Sequence, residues 1–217
     1  MDIGALSQED LAKLRDAVAD VRSSLDLRLR TGRYSCGFVM ELVQHDLSRG
    51  YNIHAIFDEI GCLEGTNVRP SITKRAEAFT SDILRGLWHK HHHQAGFIAR
   101  NLMLEMNRPG AMHAVLAPYF GRTMDEVSGQ IAYAMTVGAY ASRAGEHRMT
   151  GEWIVFEPQP QGNYYVTLAQ HPKPGDDRQA FNAALRARVE TYREYDRQIA
   201  AAGARAGHAT KRASQPP

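Results

Sequence analysis

Apolar positions recur along the first third of the chain at helical spacing. Leu11, Leu14, Val18, Val21 and Leu25 follow each other at intervals of three and four residues, the narrow seam of a bundle or coiled-coil helix. Ser7 stands where an N-cap belongs, and Glu9 and Asp10 suit the positive end of the helix dipole. The pattern stops near Thr31-Gly32. Phe38, Val39, Leu42, Val43 and Leu47 predict a second helix over about Cys36 to Leu47, closed by a turn at Ser48-Arg49-Gly50. Ile53, Ile56, Phe57 and Ile60 predict a short third helix ending near Gly61.

Glu64 to Pro70 reads as a loop. Ser71 then caps an expected helix with the stripe Ile72, Ala76, Phe79, Ile83 and Leu87. Phe97, Ile98, Leu102 and Met106 resume a helical period, and Asn107-Arg108-Pro109-Gly110 ends it. A short helix is expected over Ala111 to Tyr119. Thr123-Met124-Asp125-Glu126 forms a capping box ahead of Val127, Ile131, Ala134 and Tyr140.

The texture changes after residue 150. Glu152 to Phe156 and Tyr164 to Leu168 are rich in aromatic and β-branched residues, and Glu157 to Asn163 lies between them. This predicts a β-hairpin over about 152–170 with a rather long loop. Both faces of each strand are apolar, so both need a cover. Gly175-Asp176-Asp177 opens a last helix over 177–202, with Phe181, Leu185, Val189, Tyr192 and Ile199 on one face. The expected architecture is α+β and mainly α: a helical body of about six helices over 7–143, one hairpin and a C-terminal helix. It forms a single domain over 1–202, followed by a disordered basic tail over 203–217.

The chain has 217 residues, 43% apolar and 23% charged, which is ordinary globular usage. Its net charge is +2. Arg205, Lys211 and Arg212 lie in the tail, which holds no acid, so the rest of the chain carries about −1. Global charge therefore gives no support for a nucleic-acid binder. No apolar run approaches the roughly 20 residues of a membrane helix, and the first residues lack the pattern of a signal peptide. No membrane association and a cytoplasmic location are expected. Cys36 and Cys62 do not make a disulfide framework and are expected as small buried thiols. Dinucleotide-binding, Walker and nucleophile-elbow motifs are absent from the sequence. The helices flanking Ser48-Arg49-Gly50 have the outline of a helix-turn-helix, but Asp58 and Glu59 oppose insertion into a DNA groove.

The unusual chemistry lies in His89-Lys90-His91-His92-His93. On a helix, or at a break between two, His89, His92 and His93 would share one face. That spacing allows three readings. A zinc ion could bind His89 and His93, completed by His113 or His147, with His171 and Glu105 as further candidates; the run is not His-Glu-x-x-His, and Lys90 would repel a cation. Alternatively, the stretch between Asp82 and Glu105 has no carboxylate while holding Arg85, Lys90 and Arg100, which suits an anionic group without any metal or cofactor. His89, His92 or His93 would then move protons and Lys90 or Arg100 would steady charge. His171 and His147 would face them from the hairpin ends. This second reading implies a small hydrolase acting on a phosphodiester or other anionic substrate, a metal-independent ribonuclease in its sharpest form, with RNA as partner. In the third, the histidines are structural or solvated and the helix seams serve a non-catalytic interaction module or homodimer.

Overall fold

The structure, a computed structural model, describes residues 7–48, 52–172 and 175–213. Helix α1 (Gln8–Asp26) begins where Ser7 Oγ accepts the amide of Asp10. Helix α2 (Cys36–Leu47) begins at Ser35, whose Oγ accepts the Phe38 amide and donates to the Val166 carbonyl at 2.7 Å. One hydroxyl thus caps the helix and fastens it to the sheet. Helix α3 (Ile53–Glu64) runs one turn past the expected end and stops at Gly65, which takes the left-handed conformation of a C-cap. The turn expected at Ser48-Arg49-Gly50 falls largely outside the described residues.

A five-stranded sheet forms the centre: β1 (Arg33–Tyr34), β2 (Glu77–Ala78), β3 (Trp88–His92), β4 (Glu152–Gln159) and β5 (Gly162–Ala169). Their order across the sheet is β1-β5-β4-β3-β2, with only β1 and β5 parallel. The expected hairpin is β4–β5. Its turn is tighter than the sequence implied, because pairing continues to Gln159 and Gly162. Both faces are covered, as the apolar strands require. On one, α1, α2 and α3 bury Leu25, Phe38, Leu42, Ile56 and Ile60 against Ile154, Phe156, Tyr165 and Leu168. On the other, helix α8 (Arg178–Ala213) brings Leu185 and Val189 onto Val155, Tyr164 and Val166. Helix α8 extends to Ala213, past the end expected at 202.

Residues 71–87 do not form the expected helix. They run extended, with a bridge from Thr73 to Met149, strand β2 and a single 3-10 turn at Asp82–Leu84. The apolar spacing there serves a different purpose: Phe79, Ile83, Leu84 and Leu87 all enter the core beneath α8.

Strands β3 and β4 are neighbours in the sheet, yet residues 93–151 separate them. This insertion holds α4 (Ile98–Met106), α5 (Ala111–Leu116), α6 (Met124–Tyr133) and α7 (Ala139–Gly145), with a π turn at Ala134–Gly138 joining the last two. The capping box at Thr123 and Glu126 forms as read. Asn101 ties the insertion to the sheet by donating to the Thr150 carbonyl and accepting the Thr150 amide, both at 2.9 Å. Buried Glu105 gathers Arg108 at 2.8 Å and Arg148 at 2.9 Å.

Candidate functional site

The histidine run lies on strand β3 and not on a helix, which redistributes every residue in it. Pairing with β4 runs from Trp88 opposite Phe156 to His92 opposite Glu152. Side chains on a strand alternate, so His89 and His91 face α8 while Lys90 and His92 face α3. The shared face of His89, His92 and His93 does not exist. Four residues of extended chain also place His89 and His93 roughly 13 Å apart, too far to share one ion. His113 lies on α5 against Phe120, and His147 turns its ring to the Ser71 carbonyl. Neither completes the zinc set envisaged. Among the described residues no group of three His, Cys, Asp or Glu is placed to hold a metal ion.

On the α3 face, Lys90 is 3% exposed. Its Nζ lies 2.7 Å from Ser71 Oγ, 2.6 Å from Thr73 Oγ1, 2.6 Å from the Lys74 carbonyl and 3.1 Å from Glu59 Oε2. An ammonium has three hydrogens, so no donor is left over for a phosphate. Lys90 is therefore a structural cation that holds the extended 71–74 segment against α3. It is not the charge stabiliser expected from the sequence. His92 is fully buried, with Nδ1 2.9 Å from Gln94 Nε2, and Gln94 in turn brackets the backbone of Asn52 at the start of α3. His93 is the one member of the run that lines a cavity of about 1100 Å3 between α3 and loop 67–72. Asp46, Asp58 and Glu59 also line it, which makes it a poor place for an anion.

On the α8 face a second group assembles. The rings of His91 and His171 stack with centroids 5.1 Å apart, and His89 stands 5.5 Å from His91. His91 Nδ1 lies 3.0 Å from the Gly151 carbonyl and 3.4 Å from both the Gly151 amide and His171 Nε2. Trp153, opposite His91 in the register, packs on His171 at 4.2 Å and on His89 at 4.9 Å. The backbone amide of His171 donates to Glu152 Oε2 at 2.6 Å. Burial is the main force on the imidazoles and holds His89, His91 and His171 down at about 4, well below the usual 6.5. Neighbouring positive charge adds to it: Lys74 acts on all three, and Arg100 on His171. Burial also raises the Glu152 carboxyl, against the pull of the His171 amide and of Arg100.

Of the residues expected to act together, His89 and His171 meet on this face and the charge of Arg100 acts on His171, whereas Lys90, His92 and His93 do not join them. Sequence reasoning passed over His91, Trp153, Glu152 and Lys74. The signal for His91 was present: once the run is a strand, alternation pairs it with His89. Lys74 had no signal, because it reaches the cluster only through the extended path of 71–87. A cleft of about 270 Å3 adjoins the cluster between β2 and the start of α8, with His89 and Trp153 in its wall.

Comparison of the chain with protein-family models, with curated proteins and with solved structures finds no match.

Proposed function

We propose that this protein is a metal-independent phosphodiesterase, with single-stranded RNA as its substrate class, acting through His89, His91 and His171. The observation that carries the reading is the contact between His171 and His91, with ring nitrogens 3.4 Å apart and His89 beside them; the charge of Lys74 acts on all three and that of Arg100 on His171. All three imidazoles are neutral in the empty site at pH 7, so each can accept a proton. An anionic phosphate set among them favours the protonated form and raises their affinity for protons, giving one ring the acid role once substrate is bound.

In the proposed reaction one imidazole, His171 or His89, takes the 2′-hydroxyl proton and the 2′-oxygen attacks phosphorus. The bond from phosphorus to the 5′-oxygen breaks, and the other imidazole returns a proton to that leaving oxygen. The products are a 2′,3′-cyclic phosphate and a 5′-hydroxyl end. Lys74 and Arg100 steady the charge on the phosphorane oxygens. His91 orients His171 and spreads its proton. The setting proposed is cytoplasmic, consistent with the free thiols Cys36 and Cys62.

The test is cleavage of single-stranded RNA by the full chain in chelator. We expect cyclic-phosphate products, a loss of about 100-fold or more in His171→Ala, and little change in His93→Ala. Metal-dependent cleavage, or equal activity in His171→Ala, overturns the reading.

A second reading has its own observation. The insertion exposes large apolar side chains, with Phe120 at 66%, Met124 at 65% and Tyr133 at 63%. Such surfaces favour an interaction role, including self-association into a homodimer. Sedimentation velocity across a hundredfold concentration range tests it: a dimer dissolved by Phe120→Ser supports this reading, and a monomer throughout removes the homodimer.

A further inference from the structure

Beside the histidine cluster, the cleft of about 270 Å3 is smaller than the roughly 300–1,000 Å3 of drug-sized sites, so its occupant is a small ring system and not a folded chain. Three aromatic residues wall it: Phe79, Trp153 and Phe181. Phe79 meets Trp153 edge-on, with centroids 5.3 Å apart at 84°, and Phe181 meets it at 6.1 Å and 67°. These edge-to-face contacts pack the three rings into one continuous aromatic wall, on which a flat guest can lie. The polar groups of Ser81 and Asn182 stand at its edge, and Trp153 Nε1 is a buried donor with no partner.

We infer that this cleft is a subsite for a single nucleobase, which stacks among Phe79, Trp153 and Phe181 and sets its own ribose phosphate against His89. The inference rests on the reading of the histidine cluster as a phosphodiesterase centre and names what that centre recognises. Stacking is available from every base, so affinity comes from the aromatic walls, while Asn182 and Ser81 distinguish base edges. A base lying in this small cleft cannot remain paired, which restricts the substrate to single-stranded or extruded nucleotides.

The chain has two tryptophans, so Trp88→Phe leaves Trp153 as the sole indole reporter. Nucleoside monophosphates should quench its fluorescence saturably, and ribose 5-phosphate should not. Phe181→Ala should weaken nucleotide binding about tenfold, the scale of one lost stacking contact. Phe181 lies on α8 and packs that helix onto the core, so Phe79→Leu, which keeps an apolar side chain, serves as the milder variant and should show a similar loss in a folded protein. Asn182→Ala should alter the order of affinity among the four bases. Absence of quenching by any nucleotide, or equal binding of ribose 5-phosphate, overturns the subsite even where RNA is cleaved. Base-dependent quenching without RNA cleavage by the full chain keeps the subsite and overturns the catalytic reading.

Discussion

Burying an ammonium costs several kcal/mol of desolvation, and Lys90 offsets that cost with Ser71, Thr73, the Lys74 carbonyl and Glu59. Removing one partner leaves the other charge stranded. Lys90→Ala should destabilise the fold by about 3–5 kcal/mol in urea unfolding, whereas Lys90→Met combined with Glu59→Leu should cost markedly less. Equal losses in the single and double variants would show that the charges do not depend on each other. The imidazoles obey a different balance. His89, His91 and His171 are held at about 4 and His92 at about 3, all by burial first, against 6.5 in an unfolded chain. As pH falls below 6.5 the unfolded chain takes up protons that the folded chain refuses. Stability is therefore full above 6.5 and declines through about 4, with the His92 contribution lost only by about 3. Thermal melts should show the midpoint falling over that window and flat from pH 7 to 8. His92→Asn should make the decline shallower. In the proposed reaction the same values place the maximum of kcat/KM on the acidic side of 6.5, so activity at pH 5.5 should exceed that at pH 8.

Elements that carry their own caps and seams were legible in the sequence. Helix α2 occupies the span read from its apolar positions, α1 starts at its serine cap, and β4–β5 forms from a local aromatic alternation. Strand β3 was not legible, for a physical reason. Histidine and lysine lack the branched, apolar character that marks a strand, and its partners β2 and β4 supply cover that only tertiary structure reveals. The flanking stripe from Ile72 to Leu87 mimicked a helix because an extended segment crossing the sheet edge can also bury every third or fourth residue. The expected grouping of site residues changes with the strand: His89 and His171 come together around Trp153, while the charge of Lys90 is taken up by Glu59. Two glycines show how tightly the elements meet. A Cβ on Gly151 would lie 1.8 Å from the His92 carbonyl oxygen, and one on Gly37 would lie 2.3 Å from the Tyr192 ring. Gly151→Ala should force β4 away from β3 and cost several kcal/mol, with loss of the histidine contacts. Gly37→Ala should loosen α8 from α2 and leave the β3–β4 register intact. Amide exchange in β3 separates the two outcomes.

At the scale of the molecule, the sheet is sandwiched between the α1–α3 layer and α8, and the α4–α7 insertion hangs from one gap in it. Among the described residues no helix is long and apolar enough to cross a membrane. The insertion also has a consequence for how the chain reaches this state. The β4–β5 hairpin closes across a two-residue turn and can form within microseconds, before distant segments arrive. Pairing β3 with β4 must first close the long span of residues 93–151, and that entropy is recovered only after the strands zip. His89 and His91 stand on one side of this late seam, and Trp153 and His171 on the other. Premature products of synthesis, or chains whose insertion has been cut, can hold a formed hairpin and formed helices without a working cluster. The packing of His171 and Trp153 with His89 and His91 thus serves as a readout of completed folding.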